Sequence, residues 1–68
     1  MKIHLTLGVR RAIANDIEED WEAQGFPTGA WKGDGYIAWT ERVEVSLGER
    51  MKFTVHHEEF KEFVFYTR

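Results

Sequence analysis

No cysteine occurs among the 68 residues. That excludes a disulfide framework and thiol redox chemistry, and it removes the commonest ligand of a structural zinc site. No apolar run approaches the length needed to span a bilayer, and the start, Met1-Lys2-Ile3-His4, lacks the apolar h-region of a signal peptide. The location these imply is the cytoplasm, of a bacterial or phage-infected cell. There is no basic excess either: nine Lys and Arg stand against twelve Asp and Glu, a formal charge of −3, whereas general nucleic-acid binders are usually basic. Internal repeats, low-complexity tracts and linkers are also missing, so one domain is expected, and the early entry into patterned sequence reads as a complete small gene product.

A domain of this size buries only about 60% of the surface its unfolded chain exposes. What the chain has in compensation is rings: five Phe, three Trp and two Tyr, each burying a large area. From Tyr36 to His56 the sequence alternates with period 2, which makes strands with one buried face. Ile37, Trp39, Val43, Val45 and Leu47 occupy odd positions, and after Gly48-Glu49-Arg50 the odd set resumes with Met51, Phe53 and Val55. The glycine break reads as a hairpin turn, and the odd positions read as core, Trp39 included.

Ile3, Leu5, Leu7 and Val9 alternate in the same way and predict a first strand. The period then changes. Ile13, Ile17 and Trp21 follow the i, i+4, i+8 spacing of a helix face, with Gly25 placed as a C-terminal cap and Pro27 beyond it. Gly8 or a box of Asn15 and Glu18 is the candidate start. Residues 25–35 are loop by composition, with four glycines. Within them Asp34-Gly35 suits a type I′ turn that would fold a short strand, 30–32, back on Tyr36–Trp39. His57-Glu58-Glu59 suits a turn, and a last strand is expected from about Lys61. The expected fold class is α+β: a small β-α-β-β-β domain, mainly antiparallel, with one amphipathic helix packed on one face. In the last strand Phe63 and Phe65 are apolar on one side and Val64 and Tyr66 on the other. One helix dries only one face, so a second cover is expected near Phe63 and Phe65.

Motifs for chemistry are weak. His56-His57-Glu58-Glu59, with His4 from the first strand, offers imidazoles and carboxylates, but at a spacing that matches no mechanistic metal motif. Gly33 to Ala38 fits the letters of a dinucleotide fingerprint, but it precedes a strand where the fingerprint needs one before it. The single serine, Ser46, has no nucleophile elbow around it. No catalytic residue, metal or cofactor is assigned, and an activity by binding is expected.

Three features point to binding. Asp16, Glu18, Glu19 and Glu22, with Asp20, make the second half of the helix acidic, a docking face for a basic patch or a partial mimic of a phosphate backbone. Trp31, in the glycine-rich loop, has the character of an interface anchor. Phe63 and Phe65 offer an apolar strip, and pairing of two last strands into a homodimer would bury it and remove both edges. Protein-partner residues are therefore Asp16, Glu18, Glu19, Glu22, Trp31, Phe63 and Phe65. The alternative is a single-strand nucleic-acid binder using the polar sheet face, with Arg10, Arg11, Arg42 and Lys52 as the cationic strip and Trp31, Tyr36 and Tyr66 as stacking platforms. By size, lack of cysteine, aromatic content and acidic helix, the chain is similar to small phage-encoded proteins that bind and inhibit a host enzyme. That resemblance implies occlusion of a host protein's surface through the acidic helix and aromatic loop, and it carries no site residues over.

Overall fold

A computed structural model describes residues 7–67. Helix α1 (Leu7–Ala23) is followed by four strands, β1 (Gly29–Gly33), β2 (Tyr36–Val45), β3 (Gly48–His57) and β4 (Lys61–Tyr66). They form one antiparallel sheet in the order β1-β2-β3-β4. The class is α+β as expected, with one helix packed on one sheet face.

The first strand expected over residues 3–9 is corrected where it can be read: Leu7, Gly8 and Val9 form the start of α1, and residues 2–6 lie outside the described residues, as do Ile3 and Leu5 of the expected core. Of the two candidate starts, the one at Gly8 lies next to the first residue of α1, and Val9, four residues before Ile13, extends the i, i+4 row back to it. Asn15 consequently lies mid-helix and caps nothing. The other end is as predicted. Gly25 adopts φ +84°, its N–H reaches the Glu22 carbonyl at 3.0 Å, and the Phe26 N–H reaches the Trp21 carbonyl at 3.0 Å. This pair of bonds is a Schellman cap, and its usual hydrophobic contact is present too, because the Phe26 ring meets the Trp21 ring edge-on at 4.9 Å.

The strands form where the period-2 runs lie. In the β1–β2 hairpin Gly35 has φ +83° and Asp34 is not left-handed, so the turn is not the type I′ expected; positive φ at the second central position alone is the type II pattern. The β2–β3 turn is Ser46-Leu47, with Val45 paired to Gly48, two residues earlier than the glycine signal suggests. That displacement decides the faces. With a two-residue turn, Thr40 pairs with Phe53 and Ala38 with Val55, so even positions of β2 share a face with odd positions of β3. The odd apolar sets of the two strands cannot lie on one face.

Helix α1 covers only one of them. Beneath it lie Trp31, Tyr36, Ala38, Thr40, Phe53, Val55, Phe63 and Phe65, with Ile17 from the helix, all buried, and Ile13, Ala14 and Trp21 packed around them. Phe53 is the hub, 0% exposed, meeting Phe65 in a stack at 4.6 Å and Trp21 edge-on at 5.1 Å. Three expectations are corrected by this packing. Trp31 is core, 7% exposed, and its indole N–H donates to Thr40 Oγ1 at 2.7 Å. Phe63 and Phe65 face α1, so no second cover is needed there. Trp39 and Ile37, read as core, are 50% and 51% exposed, and Val45 and Leu47 are exposed as well.

Candidate functional site

The sheet face away from α1 is left open by the described residues, with Ile37, Trp39, Val45 and Tyr66 exposed on it. Register fixes its layout. One row runs Ala30, Trp39, Thr54, Val64 across β1 to β4. The next row toward the β1–β2 turn runs Lys32, Ile37, His56, Glu62, and the row on the other side runs Glu41, Lys52, Tyr66. Beyond these come Val43 beside Arg50, and Val45 beside Gly48. Trp39 sits centrally with its ring half exposed, and its Nε1–H points to Glu41 Oε2 at 3.5 Å, a long contact. At the Ser46-Leu47 end, a hollow of about 420 Å³ is lined by Val45, Leu47, Arg50 and Tyr66 among others. The face thus has an apolar centre with charges of both signs around it.

A second concavity of about 730 Å³ lies between α1 and β4, lined by Arg10, Arg11, Asn15, Glu18, Glu22 and Tyr66 among others. Arg10 donates from Nη2 to the carbonyl of Val64, tying the helix to β4 and using that guanidinium structurally.

The sequence-predicted residues do not converge. Asp16, Glu19 and Glu22 are exposed on α1, and Glu18 is half-buried; Trp31, Phe63 and Phe65 are buried beneath the same helix, so they cannot form one contact surface with those acids. Of the cationic set, Arg10 and Arg11 lie on α1 and Lys52 on the open face. Arg42 belongs to the opposite face, where its Nε lies 3.8 Å from Glu49 Oε2. Of the three proposed stacking rings, Trp31 and Tyr36 are buried and only Tyr66 is exposed. The Tyr36 hydroxyl donates to Asp20 Oδ2 at 2.7 Å. Burial first, then this bond to a carboxylate, raises its pKa well above the ordinary phenol value, so Tyr36 is a structural anchor. Among the described residues no three His, Asp or Glu side chains gather as a metal requires. His56 Nε2 lies 3.9 Å from Glu62 Oε2, and His57 Nδ1 accepts from the Glu59 N–H at 3.1 Å; His4 lies outside the described residues. Among the described residues no helix is long and apolar enough to cross a membrane.

Comparison with protein families, curated proteins and solved structures finds no relative. The functional reading therefore rests on the two surfaces alone. Sequence reasoning missed the open face because it assigned Ile37, Trp39, Val43 and Val45 to the core. The signal that could have found them is the parity of the β2–β3 turn.

Proposed function

We propose that this chain is a protein-binding module whose contact surface is the open sheet face, with Trp39 as its anchor. The observation that carries the reading is the half-exposed Trp39 in the middle of an ordered strand, flanked on the same face by Ile37, Val43, Val64 and Tyr66. Tryptophan is enriched among residues that dominate binding energy, above all when it stands near the centre of a patch. A rigid sheet presents such a ring without an ordering cost of the backbone.

The narrower proposal, a phage-type inhibitor occluding a host protein through an acidic helix and aromatic loop, keeps one of its two supports. The acids Asp16, Glu19 and Glu22 are exposed, while the loop ring, Trp31, is internal. Nucleic-acid binding draws on Trp39 and Tyr66 beside Lys52 and Arg50, but Glu41 and Glu62 share that face and the net charge is −3, which opposes a phosphate backbone.

The test is a photo-crosslinking residue, p-benzoylphenylalanine, placed at position 39 and separately at position 19 in living cells of the source. Protein adducts from position 39, with the purified complex weakened at least about tenfold by Trp39→Ala, are expected. Adducts from position 19 alone would move the contact to α1. Adducts that vanish with nuclease would replace the reading with nucleic-acid binding.

A further inference from the structure

We infer that the occupant of the open sheet face is a second copy of this chain, packed face to face about a two-fold axis parallel to the strands. The inference rests on the reading of that face as a protein contact surface and names its partner.

The argument is the charge layout. A two-fold along the strand direction, placed between β2 and β3, brings β1 of one copy over β4 of the other and β2 over β3. Each row then meets itself reversed. In the outer row Lys32 of one copy lies over Glu62 of the other, and the two-fold repeats the contact. In the row beyond Trp39, Glu41 lies over Lys52, again twice. In the central row Trp39 lies over Thr54 and Ala30 over Val64, pairing the large ring with a small side chain. The Lys32–Glu62 and Glu41–Lys52 rows are thus self-complementary under one operation, which is what an isologous interface requires, while in the next row Val43 lies over Arg50. Aligned packing of two sheets is also a common way to bury two half-apolar faces. The same charges cannot satisfy each other within one chain in the outer row: Lys32 and Glu62 are three strands apart, roughly 14 Å at the usual strand spacing.

The experiment is sedimentation equilibrium of the full chain from micromolar to several hundred micromolar, with charge-reversal variants. Circular dichroism is used to establish that each variant folds. The wild-type chain is expected to form dimers. Lys32→Glu or Glu62→Lys alone places like charges together twice per dimer and is expected to weaken association about tenfold or more. An equimolar mixture of the two single variants restores opposite charges at both contacts, as does the double variant Lys32→Glu/Glu62→Lys, and both are expected to associate like wild type. A wild-type chain that stays monomeric throughout overturns the inference, and so does a dimer whose strength the single reversals leave unchanged. A monomer that still yields adducts to a different protein from position 39 would overturn the second copy as occupant while leaving the contact surface standing; a monomer without such adducts would remove both.

Discussion

Thr40→Val tests the reasoning behind the buried Trp31. Thr40 is 0% exposed and is the one buried polar side chain among the described residues. Its hydroxyl accepts the Trp31 indole N–H at 2.7 Å, and no buried side-chain nitrogen or oxygen among the described residues lacks a partner. Valine keeps the shape and removes the acceptor. An orphaned buried donor costs about 1–3 kcal/mol, and the methyl that replaces the hydroxyl returns at most about 0.8 kcal/mol. The expected net loss is about 0.2–2 kcal/mol, a fall in Tm of about 1–16 °C for a domain this small. Urea unfolding followed by far-ultraviolet circular dichroism reads it, with the m-value unchanged because the same surface is exposed. Trp31→Phe removes the donor, so the double variant should lose less than the sum of the two singles, by about 1 kcal/mol. A Thr40→Val chain as stable as wild type, with additive singles, would mean that the Trp31 N–H reaches water and that the ring does not close the core as described.

The other expectations follow the same packing. Phe53→Ala removes the hub ring and should cost about 3–5 kcal/mol, comparable to the whole stability of a domain this size, so its circular dichroism at 37 °C should be that of a largely unfolded chain. Gly33→Ala places a methyl group in overlap with the Tyr36 ring, and because that ring is buried and held by Asp20 it should lower stability by about 1–3 kcal/mol in a thermal melt. The raised pKa of Tyr36 means that above about pH 10, where the unfolded phenol loses its proton, the folded state binds more protons than the unfolded one. Its contribution is complete below that pH and is lost as pH rises toward the folded value. Denaturation series from pH 8 to 11 should therefore show stability falling at the alkaline end, with a smaller slope in Tyr36→Phe.

Much of the architecture was present in the order of the residues. The helix carrying Ile13, Ile17 and Trp21, its stop at Gly25, the turn before Lys61 and the last strand were all legible, because each rests on local chemistry: a 3.6-residue period, a left-handed cap, a cluster of turn formers. The alternation of β2 and β3 also marked them as strands, each with one apolar side. What local pattern could not decide was which apolar side faced inward. Period 2 is blind to register, and a hairpin loop of two residues pairs even positions of β2 with odd positions of β3, so Ile37, Trp39 and Val45 and the pair Phe53 and Val55 had to part company. A single helix could cover only one set. It covered the one that β4 extends with Phe63 and Phe65 and β1 with Trp31, where four strands contribute rings to one core. The open face is what that choice left outside, and it was decided by the parity of the β2–β3 turn together with the single helix that covers the other side.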